Sequence, residues 1–221
     1  MSAAHIEHEK RIAAEAAAGL VTDGMMVGLG TGTTVAYLLP ALAARALDIR
    51  CVATSPATEI EGRRLGLDMR AFEGIDHFDL AIDGADQVAS DGWLVKGGGG
   101  AQTREKVVAA AAVRFVVIAS SDKVVDRVHP PVPLELLAFG VDSILRALPA
   151  ATLRPATPRS PDGGLIADWH GDFGDPSALA AQLATVAGVV EHGLFPPSLV
   201  SDILIGTGDQ VEHRSPGAGP S

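Results

Sequence analysis

The chain has 221 residues, 47% of them apolar and 20% charged, with a formal net charge of −10. That length suits one large domain or a main domain with a smaller companion, and the composition is that of an ordinary soluble globular protein. The negative charge, with no basic stripe to offset it, argues against nucleic acid, whose affinity comes largely from Lys and Arg neutralising phosphates.

In chain order, Ala3 to Leu20 reads as an Ala-rich helix and Met25 to Leu29 as a short apolar strand. The N-terminal stretch Ala4-His5-Ile6-Glu7-His8-Glu9-Lys10 is charged and has no apolar segment of the kind a secretory signal needs. From Thr34 a helix is expected through Val35, Leu38, Leu39 and Leu42, with Pro40 as a kink point by the ordinary cost of proline inside a helix, ~3 kcal/mol. Ile49 to Thr54 is a strand, and Ser55-Pro56 supplies an N-cap and a first-turn proline for the next helix. Leu67 to Phe72, Phe78 to Ile82 and Trp93 to Lys96 are further strands. Thr103 to Ala112 reads as a helix and Phe115 to Ala119 as a fully apolar strand. Strands alternating with helices in this way predict an α/β fold with a doubly wound, largely parallel, Rossmann-like sheet.

The texture changes at His129-Pro130-Pro131-Val132-Pro133. A helix around Leu136 to Leu148 follows, then an edge-like segment from Arg154 to Arg159. A turn at Pro161 to Gly164 leads to a strand through Leu165, Ile166 and Ala167. A helix from Pro176 to Ala187 precedes Val189-Val190-Glu191. This βαββαβ pattern predicts a smaller α+β, ferredoxin-like domain over residues 129–202. Asp202 to Ile205 then returns to the first domain, so that residues 1–128 and 203–214 form the Rossmann-like catalytic unit. Residues 215–221 are expected to be a disordered tail.

The chemistry concentrates in a few segments. Gly28-Leu29-Gly30-Thr31-Gly32-Thr33-Thr34 leaves a strand and enters a helix, which makes an anion cradle of backbone N–H groups, hydroxyls and a helix N-terminus. It is neither a Walker loop, lacking Gly-Lys-Ser/Thr, nor a dinucleotide fingerprint, which needs glycine where Thr33 stands. A tight turn with no ligand is the plainer alternative. Asp83-Gly84-Ala85-Asp86 follows an apolar strand, at the carboxyl end where open α/β sheets bind ligands. Ordinary turn chemistry and a magnesium pair are the competing readings. Lys96-Gly97-Gly98-Gly99-Gly100 is too costly in backbone entropy for a regular strand and suggests N–H groups aimed at a ligand beside a lysine. Glu105 opens a helix, where an acid also complements the helix dipole. Lys123 follows another strand, where surface solvation is the default. His5 and His8 lie one turn apart without a third metal ligand placed by spacing. Cys51 stands alone, which excludes an internal disulfide framework and fits a reducing, cytoplasmic compartment. No apolar run reaches membrane-spanning length.

Taken together, these segments resemble the ribose-5-phosphate isomerases of the A type. The matching stretches are Gly28 to Thr34, Asp83 to Asp86, Lys96 to Gly99 with Thr103-Arg104-Glu105-Lys106, and Lys123. Asp168-Trp169-His170-Gly171, Gly188 to Phe195 and Ile205-Gly206-Thr207 match as well. The resemblance implies interconversion of ribose 5-phosphate and ribulose 5-phosphate in the pentose phosphate pathway, with no metal or organic cofactor. It places the catalytic base on Glu105, with Asp83 and Lys96 as its catalytic companions. It places sugar-phosphate contacts on Thr31, Gly32, Thr33 and Thr34, on Asp83, Gly84, Ala85 and Asp86, on Lys96, Gly97, Gly98 and Gly99, and on Lys123. Lys10, at a matching distance before the first loop, is a further phosphate contact by the same comparison. It implies a homodimer, for which exposed apolar residues of the small domain would serve. Gln87 stands where the family commonly has Glu, and Gly100 where it usually has Ala. A sugar-phosphate sensor and a glucosamine-6-phosphate deaminase-like enzyme are the alternatives. The complete set of acid, base and lysine favours the isomerase, and Glu105 is expected to be ionised at neutral pH, since a free glutamate titrates near ~4.3.

Overall fold

The alternation of helices and strands is realised in the computed structural model, which describes residues 2–155, 158–172 and 174–216. The first part of the chain runs α1 (Ala3–Ala18), β1 (Met26–Leu29), α2 (Val35–Ala44), β2 (Arg50–Ala53), α3 (Pro56–Arg64) and β3 (Asp68–Met69). It continues through β4 (Leu80–Gly84), β5 (Gln87–Ala89), β6 (Leu94–Val95), α4 (Gln102–Ala110), β7 (Phe115–Ser120) and β8 (Val124–Val125). Then come β9 (Val132–Leu136), α5 (Val141–Ala147), β10 (Ala151–Leu153), β11 (Leu165–Trp169), α6 (Pro176–Ala184) and β12 (Val189–His192). The last elements are β13 (Leu194–Phe195), β14 (Asp202–Thr207) and β15 (Gln210–Arg214).

Seven strands form the main sheet in the order β3-β2-β1-β4-β7-β14-β15, parallel throughout except for the final β14–β15 hairpin. Strands β1 and β7 are buried along their whole length, as a sheet covered on both faces requires. Strand order reverses between β1 and β4, so the carboxyl ends of these two strands open the crevice where such sheets take their ligands. Helix α1 covers β7 and β14 with Ala13, Ala14, Ala17 and Ala18, whose small side chains allow a close approach. Helix α2 runs through Pro40 to Ala44. Pro40 faces solvent, where water can satisfy the carbonyl that its missing N–H leaves free, while Leu38, Leu39 and Leu42 anchor the buried side.

The second sheet has the order β10-β11-β9-β12 with every neighbouring pair antiparallel, and α5 and α6 supply the crossovers of a ferredoxin-like βαββαβ unit. Its central strand β9 is a correction, because the proline-rich run His129 to Pro133 reads as punctuation. Pro133 is tolerated because it lies beyond the last paired residue of β12 and its carbonyl accepts the Gly193 N–H at 2.7 Å, leaving the β11 ladder intact. The helix expected from Leu136 begins only at Val141, since Leu136 is a buried member of β9. The edge strand precedes Arg154, at Ala151–Leu153, and is not the Arg154-to-Arg159 segment. Of the expected tail, residues 217–221 lie outside the described residues, and Arg214 itself ends β15.

A third sheet of four short strands, β13-β6-β5-β8, joins the two layers. Its strands of two or three residues are too short for any period to show in sequence. The Leu94–Val95 pairing with Leu194–Phe195 continues in a Lys96 N–H to Gly193 carbonyl bond of 2.8 Å, which fixes the lysine at the start of the glycine run. No helix among the described residues is long and apolar enough to cross a membrane.

Gly206 on β14 lies directly under α1: a Cβ there would stand 2.1 Å from the Glu9 carbonyl oxygen. Backbone cannot give way as a side-chain tip can, so Gly206→Ala should lower the melting temperature by about 4 °C or more. An unchanged thermal transition would contradict this packing.

Candidate active site

Four parallel strands end at the same edge. Strand β1 delivers Gly30 to Thr34, β2 delivers Ser55, β4 delivers Asp83 and Gly84, and β7 leads to the 3₁₀ turn Ser121–Lys123. With the glycine run and the first turn of α4 they enclose a cavity of about 690 Å³. Thr31, Gly32, Thr33, Thr34, Gly84, Ala85, Asp86, Lys96, Gly97, Gly98, Gly99, Glu105 and Lys123 all line it. Asp83 sits behind this wall, bonded to Lys96.

At its floor the Lys96 ammonium lies 2.9 Å from Asp83 Oδ2 and 3.1 Å from Glu105 Oε2, and it also donates to the Gly84 carbonyl. All three side chains are at least 96% buried. Asp83 Oδ1 accepts the N–H groups of Thr31 (3.1 Å) and Gly84 (2.7 Å), so one carboxylate ties β1 to β4. Two carboxylates share a single ammonium, which leaves a local excess of negative charge. Burial, and next the Asp83 carboxylate, therefore outweigh Lys96 and push the Glu105 pKa up to about 8. Burial likewise raises Asp83 against the pull of Lys96 and its two N–H donors. Burial opposes the Lys96 charge, but the two flanking carboxylates overcome it and keep its pKa above the usual lysine value. The expectation that Glu105 is ionised at neutral pH leaves out this surrounding: burial and the Asp83 carboxylate both favour its protonated form.

Helix α4 is pinned residue by residue. Thr103 Oγ1 donates to the buried Glu135, Arg104 forks onto Asp162 at 2.8–3.1 Å, and Lys106 Nζ donates to Glu191 Oε1 and the His192 carbonyl at 2.7 Å each. Lys106 and Lys96 stand 4.9 Å and 5.5 Å from the centre of the same buried Phe195 ring. On the opposite wall, Thr31 Oγ1 meets Ser55 Oγ at 2.8 Å and Thr58 Oγ1 at 3.2 Å, while Ser55 Oγ caps α3 by accepting Thr58 N–H. Asp86 Oδ2 accepts the Gly98 N–H at 2.7 Å. The Lys123 side chain is 35% exposed, its ammonium 3.5 Å from Asp122, and it faces the cavity.

The family model for ribose 5-phosphate isomerase A (phosphoriboisomerase A) matches residues 50–210. The chain belongs to this family. A Caulobacter vibrioides protein named ribose-5-phosphate isomerase A is 45% identical over 225 residues, covering 95% of this chain and 99% of that relative. The crystal structure of ribose 5-phosphate isomerase A from Neisseria gonorrhoeae superposes with a TM-score of 0.91 at 31% identity, over 96% of this chain and 97% of the other. A structure of D-ribose-5-phosphate isomerase in complex with phospho-erythronic acid gives 0.89 at 30% identity, over 95% and 99%. The protein is an isomerase.

Several residues of this isomerase take other positions than the sequence suggests. Lys10 does not line the cavity, and its ammonium is held by Glu7 at 2.7 Å. Gln87 also lies outside the lining. Its amide brackets His129, donating to the carbonyl and accepting the N–H at 2.9 Å each, a two-way bond that a carboxylate could not make. His5 pairs with Glu9 at 3.0 Å, and among the described residues no group of three or more His, Cys, Asp or Glu is placed to hold a metal. Ser55, Pro56 and Ala57 line the cavity although the sequence marks Ser55 only as a helix cap. The usable signal is its place just after a parallel strand. Pro158 to Pro161 complete the wall from the second sheet, and nothing in their composition announces it.

Gly30 is the tightest point: a Cβ there would fall 1.8 Å from Asp83 Oδ1. Gly30→Ala must displace the carboxylate that Lys96 grips, and kcat/KM should fall by about 100-fold, the scale of an ångström-sized misplacement. Wild-type catalysis by that variant would show that Asp83 has room the geometry denies.

Proposed function

We propose that the chain interconverts D-ribose 5-phosphate and D-ribulose 5-phosphate through a cis-enediolate, as a step of the non-oxidative pentose phosphate pathway. The observation that carries this reading is the buried Asp83–Lys96–Glu105 cluster beside a cavity that Thr31 to Thr34 also line. In this scheme the phosphate lies against Thr31 to Thr34 and Lys123, where threonine groups, backbone N–H groups and the start of α2 supply donors and positive potential. Gripping that end places C1 and C2 of the open-chain sugar beside Glu105. The phospho-erythronic acid bound by a relative has the matching combination of a phosphate and a short polyhydroxylated chain.

Glu105 removes the C2 proton and returns it to C1. The developing oxyanion is met by the Lys96 ammonium and the N–H groups of the glycine run, donors of a kind worth ~3 kcal/mol each. Asp83 passes protons between the ring oxygen and the anomeric hydroxyl during ring opening, and Asp86 orients the hydroxyls. A glutamate with a pKa of about 8 is a stronger base than a free one and still titrates near working pH, which is where a group that both takes and gives a proton serves best. The small unit over residues 129–202 carries exposed Leu137, Phe139 and Val190, which would be covered in a homodimer. A cytoplasmic location fits the lone, buried Cys51 thiol.

Glu105→Gln should lower kcat by about 100- to 10,000-fold while ribose 5-phosphate still binds, as measured by a coupled assay and by calorimetry. Near-normal turnover would remove Glu105 from the role of base. Since only the ionised carboxylate accepts the proton, kcat/KM of the wild type should rise with pH up to about 8 and level off above it. A plateau already reached at pH 6 would place the titration elsewhere. Hexose phosphates in the same assay should turn over poorly, and a preference for them would favour a deaminase-like activity.

A further inference from the structure

The glycine run is held from outside its own sheet. Arg154, which follows β10, reaches from the ferredoxin-like sheet toward it. Its Nε and Nη2 donate to Asp168 on β11 at 2.7 Å each, a bidentate pairing. Its remaining nitrogen, Nη1, donates to the carbonyls of Gly97 at 3.1 Å and Gly98 at 2.9 Å. Arg154 does not line the cavity, whereas Gly97 and Gly98 do. An ion pair serving stability alone would be complete with Asp168.

The two carbonyl bonds have a directional consequence. A trans peptide unit points its C=O and its N–H in opposite directions, and among the described residues only Pro130–Pro131 is cis. Drawing the Gly97 carbonyl toward Arg154 turns the Gly98 N–H the other way, where it meets Asp86 Oδ2 at 2.7 Å. Drawing the Gly98 carbonyl toward Arg154 turns the Gly99 N–H away from it as well. That N–H has no acceptor among the described residues, and Gly99 borders the cavity. Within the run only the Gly100 N–H, bonded to the Gly97 carbonyl at 3.0 Å, helps to hold these planes, and the freedom of glycine is the largest of any residue.

We propose that Arg154, oriented by Asp168, is a positioning residue that sets the peptide planes of the run, so that the Gly98 N–H holds Asp86 and the Gly99 N–H is presented to the substrate oxygen that becomes negative. This rests on the enediolate reading above. The ferredoxin-like sheet thereby acts on the reaction without touching the reacting atoms.

The test compares wild type with Arg154→Ala, Arg154→Lys and Asp168→Asn, each as the full chain, for ribose 5-phosphate turnover, melting temperature and the amide proton shifts of Gly98 and Gly99. Arg154→Ala should lose about tenfold to 100-fold in kcat, the range expected when oxyanion donors are mispositioned, with a smaller change in KM. Guanidinium at a non-denaturing concentration should restore part of that loss where the same concentration of sodium chloride does not. Arg154→Lys should remain impaired, because one ammonium cannot span a carboxylate and two carbonyls in the plane of a guanidinium. Asp168→Asn should fall between, with the two amide signals shifted in the same direction. Wild-type kcat in all three variants, or a loss that only follows the loss of folded protein and ignores guanidinium, would overturn the assignment. If Arg154→Ala does not fold, Asp168→Asn decides by the same criteria. A wild-type chain inactive on ribose 5-phosphate would sink the substrate reading instead, and the amide shifts would still report whether Arg154 sets the planes.

Discussion

One buried ammonium between two buried carboxylates is the constraint on which the rest of the structure depends. Taking three charges out of water costs several kcal/mol per ion unless each finds a partner, and here two acids compete for a single lysine. Burial and mutual repulsion disfavour ionising both carboxylates together, and both raise the proton affinity of Glu105. The feature that makes the site expensive for folding is thus the feature that makes it chemically useful: a carboxylate poised to exchange a proton close to working pH. Lys96 meanwhile stays charged, because both of its neighbours favour the ammonium.

Such a cluster survives only if its members have nowhere else to go. Asp83 is held by two backbone N–H groups and by the absence of a side chain at Gly30, Lys96 by its pairing with the segment around Gly193, and Glu105 by a helix tied down at Thr103, Arg104 and Lys106. The three ties of α4 cross to the ferredoxin-like unit. The second sheet is therefore part of the site's rigidity, since it supplies Glu135, Asp162 and Glu191 as anchors for the helix that carries the acid.

The parallel sheet was legible because β1, β4 and β7 are apolar runs, a pattern that burial on both faces imposes. Strand β9 was not, because a proline normally argues against a central strand and only the place of Pro133 beyond the β12 ladder reconciles the two. Strands β5, β8 and β13 are two or three residues long, and no periodicity can be read from so few, whereas β6 lies within the expected Trp93-to-Lys96 strand. In the site, the segments Thr31 to Thr34, Asp83 to Asp86 and Lys96 to Gly99 were legible through their order and spacing, and all of them except Asp83, which lies behind the wall against Lys96, line one cavity with Lys123 and Glu105. Ser55 and Arg154 were not, because a capping serine and an arginine after an edge strand look the same whether or not a cavity lies beside them.

The sequence by itself determined which groups exist and the order in which strands present them, because hydrophobic pattern and glycine placement act locally and leave their mark residue by residue. Tertiary structure alone decided the raised proton affinity of Glu105, the pairing of Lys10 with Glu7 outside the cavity lining and the reach of Arg154 to the glycine run. These depend on burial and on contacts between residues far apart in the chain, and electrostatic energies follow separation in space rather than separation in sequence.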